Sequence, residues 1–273
     1  MRKRQGITDD DVVRWIKNGY GQGQGNGYRP YFHVRDVPSE GEGHELPLRL
    51  FPGRREPHQY LSYLEASIGC VIEWLNAIEI REQYAALSET WDRSETIQIA
   101  DSLGVRHPVH PGTTTQCVIT TDIVAILPQG IIDAVYVKPS ALLDPKTQRG
   151  RRNLQKRMIE EVYWSRRERA TFRTADEFTY SDVYRRNAFD LRARLFQKEY
   201  LHLIPRAPEI VLAIVKRWGR TKTQYAIVSS VANDVGLSPL EVTNLLYRSI
   251  WDRTLVVDIE SARLHPNNPV LVQ

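Results

Sequence analysis

Cysteine is nearly absent: Cys70 and Cys117 are the two in 273 residues. Both stand in apolar stretches without partners at metal-ligand spacing, which excludes a disulfide framework and a thiolate metal site and predicts buried, reduced thiols. No apolar run approaches the ~20 residues that cross a bilayer, so no membrane association is expected. Met1-Arg2-Lys3-Arg4-Gln5 leads into an acidic stretch with no apolar signal core, which predicts cytoplasmic residence. The glycine-rich run Gly21 to Gly27 lacks a preceding strand and a following helix. A dinucleotide fingerprint needs both, so the run is read as a loop and not as a cofactor site.

Nor is there a large charge of one sign, since the formal net charge is only +4. The basic residues are clustered, however. Lys146 to Arg173 holds ten basic residues against three acidic ones, and Tyr184 to Lys198 holds five against one. Such clusters raise the local potential toward a polyanion, and release of DNA counterions then drives binding. A solvated helix face is the alternative for the same charges. With 41% hydrophobic and 26% charged residues, the chain has the composition of an ordinary globular protein, long enough for two domains.

What is present divides near residue 177. Thr8 caps a short amphipathic helix, and Leu46, Leu48 and Leu50 alternate as in a strand. From Tyr60 to Ala77, Leu61, Leu64, Ile68, Val71, Ile72 and Leu75 recur at helical spacing. Glu65 falls inside that stripe, so its carboxylate leans toward the core and requires a cation or hydrogen bonds there. Ile78 to Tyr84 reads as a strand and Thr96 to Leu103 as a turn or short helix.

Cys117 to Leu127 and Ile131 to Lys138 are rich in Val, Ile and Thr and are separated by Pro128-Gln129-Gly130, a β-hairpin signature. If the three-residue turn sets the register, Leu127 faces Ile131, Asp122 faces Tyr136 and Thr120 faces Lys138. Asp122 and Tyr136 are then expected about 5 Å apart on one face, with Lys138 on the diagonal at roughly 7 to 8 Å. A basic helix is predicted over Arg151 to Arg169, with Leu154, Met158, Val162 and Trp164 as its apolar side.

Past residue 177 the pattern is helical: Tyr184 to Leu203, Glu209 to Trp218 and Gln224 to Val235, the last ended by Gly236. Ser238-Pro239-Leu240-Glu241 combines an N-cap serine, a first-turn proline and a glutamate three residues on, and opens a helix to about Asp252. Strands over Thr254 to Glu260 and Pro269 to Val272 would complete a winged helix-turn-helix domain. Its presumed recognition helix offers Thr243, Asn244 and Arg248 against Glu241 and Asp252, which suits protein docking better than base reading.

A helix-borne Glu, a strand-borne Asp and a Lys on the neighbouring strand are the parts phosphodiester hydrolysis needs. The carboxylates hold a metal that polarises the phosphate, and the cation stabilises developing charge. The order Glu65, Asp122, then x-x-Lys138 resembles the restriction-endonuclease-like (PD-(D/E)-x-K) nucleases. More specifically, Gly21-Gln22-Gly23-Gln24-Gly25, Val37-Pro38-Ser39, Leu61-Ser62-Tyr63-Leu64-Glu65, Ile80-Arg81-Glu82-Gln83-Tyr84 and Val137-Lys138-Pro139 resemble the TnsA family, the endonuclease subunits of Tn-seven-like heteromeric transposases.

The resemblance implies an α/β fold, a mixed sheet flanked by helices over residues 1–177, with a winged-helix-like docking domain over 178–273. It implies a metal-dependent endonuclease that cuts the 5′ ends of a transposon beside a TnsB-type transposase and a TnsC-type ATPase, on the nucleoid when active. Glu65, Asp122 and Lys138 would be catalytic; Glu65, Asp122 and the Val137 carbonyl would bind Mg²⁺, with Mn²⁺ able to substitute. Arg151, Arg152, Lys156, Arg157, Arg166 and Arg167 would contact transposon-end DNA. Tyr136 departs from the pattern, which carries Asp, Glu or Gln there, and a phenol is a poor Mg²⁺ ligand; Glu82 or Glu73 could compensate. Two other readings stand: a scaffolding subunit with a decayed site, and a stand-alone restriction-type nuclease.

Overall fold

The computed structural model describes residues 6–36, 44–46, 57–195, 198–219 and 221–270. The motif Val37-Pro38-Ser39 and the leucines at 48 and 50 lie outside them. The chain divides into two compact units, Met1–Thr179 and Tyr180–Gln273.

The first unit is α/β. In order it contains α1 (Asp9–Lys17), β1 (His44–Leu46), β2 (His58–Tyr60), α2 (Tyr63–Trp74), β3 (Glu79–Ala85), α3 (Ser94–Ser102), β4 (Thr120–Ile126), β5 (Ile132–Val137), α4 (Gln148–Ser165) and β6 (Ala170–Ala175). Four strands form one mixed sheet in the order β3-β4-β5-β6, antiparallel except for the parallel pair β5–β6. Three of the helices begin on side-chain caps that satisfy orphan amides: Thr8 for α1, Ser62 for α2 and Thr147 for α4. The α2 cap matters for function, because the amide that Ser62 accepts belongs to Glu65.

The hairpin register is the one its turn implies: Ile126 pairs with Ile132, Ile123 pairs with Val135, and the Leu127 amide bonds to the Ile131 carbonyl. Gln129 supplies the left-handed backbone that the turn requires, at φ 66°. On one face Ile119, Val124 and Ala134 pack with Ile99 of α3 and Ile159, Tyr163 and Trp164 of α4. α2 covers the other face: Glu82, next to Arg81, which pairs with Val124, meets His58, whose far nitrogen stands 3.3 Å from Glu73 of α2.

Side-chain alternation fails at one rung. Glu82 faces α2, so Tyr84 should as well. Instead Tyr84 packs on Trp164 at 5.5 Å, and its partner Thr121 bonds to Glu160 and Trp164 on α4. The reversal falls at Gln83 and Asp122, which occupy the intervening rung, and Gln83 has φ 50°.

The α4 helix differs from its expected pattern. Its buried side is Ile159, Glu160, Tyr163 and Trp164, whereas Met158 is exposed. That inner face is partly polar, because Thr121 and Lys156 offer Glu160 a hydroxyl at 2.8 Å and an ammonium at 3.5 Å. The parallel strand β6 is an element that the sequence pattern does not predict.

The second unit is helical: α5 (Asp182–Arg194), α6 (Ala207–Arg217), α7 (Gln224–Val235) and α8 (Pro239–Trp251), with a 3₁₀ segment at Lys198–Arg206. The expected helix to Leu203 is thus shorter. The Ser238–Glu241 capping box forms in full, and Gly236 closes α7 in the left-handed conformation. The two expected terminal strands do not form among the described residues, where the segment after α8 contains only turns and a single bridge position; residues 271–273 lie outside them. Among the described residues, then, no strand pair supplies the wing of a winged-helix domain.

Candidate active site

Glu65 is 6% exposed, and its carboxylate is held on three sides. The Leu61 amide donates to Oε2 at 3.0 Å, the Gln83 side-chain amide donates to Oε2 at 3.1 Å, and the Ser62 hydroxyl donates to Oε1 at 3.1 Å. Burial and the nearby negative charge of Asp122 push its pKa up to about 7, opposed by the Leu61 hydrogen bond, the Lys138 ammonium and the Ser62 hydrogen bond. Residues from a helix and two strands are therefore within electrostatic reach of one another.

Asp122 is 5% exposed and lies at the rung where alternation fails. Its Oδ2 accepts the Val137 amide at 2.8 Å, so the carboxylate bridges to β5 just beyond the last paired rung. Its charge is felt by Glu65 and also by Lys156, Tyr136 and Glu160. Lys138 follows β5 and is anchored by its amide on the Ala175 carbonyl of β6 at 3.0 Å.

Tyr136 follows one step beyond the last paired rung and turns its phenol toward α4, within electrostatic reach of Asp122 and Glu160. Its hydroxyl stands 3.4 Å from the Asn153 carbonyl of α4, and burial pushes its pKa upward. The Lys138 and Lys156 ammoniums lie 5.5 and 5.6 Å from the ring centroid, within cation–π range. The ring thus fills the space between two cations where an acid would add a third negative group. Glu82 and Glu73, the other acids considered for that role, both engage His58, Glu82 at 2.7 Å and Glu73 at 3.3 Å.

Among the described residues no group of three His, Cys, Asp or Glu side chains is arranged to hold a metal. The oxygen donors that do converge are two carboxylates. That set suits Mg²⁺, which takes one or two carboxylates and fills its octahedron with water and phosphate oxygens. Burial raises the Glu65 pKa most and the Asp122 charge adds to it; a cation between the two carboxylates would offset that second contribution.

The six basic residues expected to contact DNA sort into different environments. Arg151 and Arg152 are exposed, and Arg152 lines an open cleft of about 450 Å³ with Arg106, His107, His110 and Gln155. Lys156 points inward to Glu160. Arg157 bonds Thr174 and approaches Glu161. Arg167 grips Glu95 and stacks on Tyr163, and Arg166 approaches the same Glu95. Arg106 escapes sequence reasoning because it stands outside the basic clusters.

No protein-family model matches the chain. Over 165 residues it is 34% identical to transposition protein TnsA of transposon Tn7 from Escherichia coli. Over that stretch the chain is similar to TnsA. The match covers 59% of this chain and 55% of TnsA, so the chain spans about half the length of the curated relative it matches. The α/β unit, with its mixed four-stranded sheet between helices, accords with a restriction-endonuclease-like fold. No helix among the described residues is long and apolar enough to cross a membrane.

Proposed function

We propose that this chain is a metal-dependent DNA endonuclease subunit of a heteromeric transposase, cutting the 5′ ends of its element. The observation that carries the reading is the convergence of Glu65 from α2, Asp122 from β4 and Lys138 from the end of β5, in a chain similar to TnsA. Mg²⁺ is the proposed cofactor, with Mn²⁺ as substitute. A TnsB-type transposase, a TnsC-type ATPase regulator and transposon-end DNA are the proposed partners, at a cytoplasmic site on the nucleoid. Residues 1–177 would be the nuclease domain and 178–273 the docking domain.

Bound at this site, a divalent cation would polarise a phosphoryl oxygen and acidify a water. Glu65 and Asp122 would hold it as carboxylates, with the Val137 carbonyl as a further donor. Lys138 would place positive charge beside the scissile phosphate and stabilise the charge that develops on it. The exposed Arg151 and Arg152, with Arg106 across the cleft, would track the DNA backbone.

Docking through the second unit is supported by what α8 withholds. Thr243 bonds the Pro239 carbonyl, Asn244 is buried, and Arg248 pairs with Asp252 at 3.2 Å, so little remains to read bases. One observation favours a second reading, a scaffolding subunit: the Tyr136 phenol is turned to α4 and adds no ligand. Strand cleavage with Mg²⁺, measured with and without the co-expressed transposase, tests the proposal. Cutting that requires the partner supports it, cutting by the chain alone points to a stand-alone nuclease, and no cutting under either condition favours the scaffold.

A further inference from the structure

We propose that Gln83 is a positioning residue that leaves one defined oxygen of Glu65 open to the metal, an inference that rests on the nuclease reading above. Gln83 is 1% exposed and its φ is 50°, a left-handed conformation uncommon in residues other than Gly, Asn and Asp. Nothing about the backbone there favours a long amide side chain. What the side chain does is hold Glu65.

A carboxylate oxygen accepts two hydrogen bonds comfortably. On Glu65, Oε2 already takes two, from the Leu61 amide at 3.0 Å and from Gln83 Nε2 at 3.1 Å. Oε1 takes one, from the Ser62 hydroxyl at 3.1 Å. The remaining acceptor site is therefore on Oε1. The Glu65 carboxylate, which can only accept, fixes the orientation of the amide, and the Thr120 hydroxyl then donates to Gln83 Oε1 at 3.4 Å. Turning the amide over would set its oxygen against the Glu65 carboxylate. Gln83 and Asp122 fall between the paired rungs Glu82–Ile123 and Tyr84–Thr121, so the residue that aims one carboxylate lies at the same level of the sheet as the other.

A cation between Glu65 and Asp122 consequently meets a single Glu65 oxygen. One-oxygen coordination suits the tight octahedron of Mg²⁺, whereas a carboxylate with both oxygens free can also chelate the larger Ca²⁺. Gln83 thereby tunes the site toward the smaller ion.

The test is calorimetric titration of the full-length protein with MgCl₂ and with CaCl₂, for the wild type, Gln83→Leu, Gln83→Asn and Thr120→Val. Asn accepts the left-handed backbone more readily but its amide falls one methylene short, which separates side-chain reach from backbone strain. Both Gln83 variants are expected to bind Mg²⁺ about 10-fold more weakly, with a smaller loss for Ca²⁺. Gln83→Asn should keep the wild-type melting temperature, and Thr120→Val should move Mg²⁺ affinity in the same direction by less. Unchanged Mg²⁺ affinity in Gln83→Asn, or equal losses for both ions, overturns the inference. Wild-type Mg²⁺ binding that Asp122→Asn abolishes and the Gln83 variants leave alone sinks this inference but not the nuclease reading. A wild type that binds no Mg²⁺ sinks both.

Discussion

The Asp122 carboxylate accepts the Val137 amide at 2.8 Å, one step past the last paired rung of the hairpin. The side chain therefore has a structural role beside its proposed metal-binding one, and the two can be separated. Asp122→Asn keeps an oxygen for the Val137 amide but loses the charge. It should melt within about 1 kcal/mol of wild type while losing metal binding. Asp122→Ala leaves that amide unpartnered and should cost roughly 1.5 to 3 kcal/mol by urea unfolding. Equal stability in the two variants would mean that the Val137 contact contributes nothing.

The buried pair on α4 predicts a pH signature. Burial holds the Glu160 pKa up to about 7, against the pull of Lys156, and Asp122 adds to the rise. An acid with a raised folded pKa contributes stability that is complete below its unfolded value and is lost as pH rises through the folded one. Lys156→Met removes the cation that tolerates the charged form. Its cost should be small near pH 5 and grow to about 3 kcal/mol near pH 8. Lys156→Met combined with Glu160→Gln should recover much of that loss at about pH 8, since no buried charge is left unpaired. A cost independent of pH would show that Glu160 does not titrate in this range.

Much of this architecture is legible in the chain, and the exceptions share a physical cause. The hairpin register follows from Pro128-Gln129-Gly130, and the Ser238–Glu241 box marks the start of α8, because turn and cap chemistry are local. The inner face of α4 is hidden because Lys156 and Glu160 read as solvent residues until Thr121 and Trp164 are seen beside them. β6 carries Arg173, whose guanidinium meets Asp133 of β5, and so lacks the apolar run expected of a parallel strand. The turn implies the level of Tyr136 in the sheet but not that its phenol turns to α4. Its place follows the ladder, but the left-handed Gln83 reverses alternation at that level, and no glycine or asparagine announces it.

α2 carries Glu65 and also lies close against Tyr60. A Cβ at Gly69 would come within 2.9 Å of Tyr60 Cε1 and nearer still to its hydroxyl, and Tyr60 is fully buried. Gly69→Ala should therefore destabilise by about 1 to 3 kcal/mol despite the better helix propensity of alanine. It should also lower cleavage, since α2 must shift to relieve the clash. A more stable Gly69→Ala protein would refute the close packing.

DNA binding should depend on the exposed arginines and not on those already paired. Reversing the charge of Arg151 and Arg152 should flatten the dependence of log Kd on log salt by up to about 0.9 per lost phosphate contact. Arg167→Ala should leave that slope unchanged and lower the melting temperature, because Arg167 is committed to Glu95 and Tyr163. The reverse pattern would place the DNA on the other end of α4.

The most direct measurement of the central claim is strand-specific cleavage of a labelled transposon end by the full-length protein with its transposase, in Mg²⁺, comparing wild type with Asp122→Asn and Glu65→Gln. The expected result is cuts at the 5′ ends by the wild type, none above background by either variant, and complexes of unchanged composition. Undiminished 5′ cutting by Asp122→Asn would contradict the assignment of Asp122 as a metal ligand and, with it, the proposed active site.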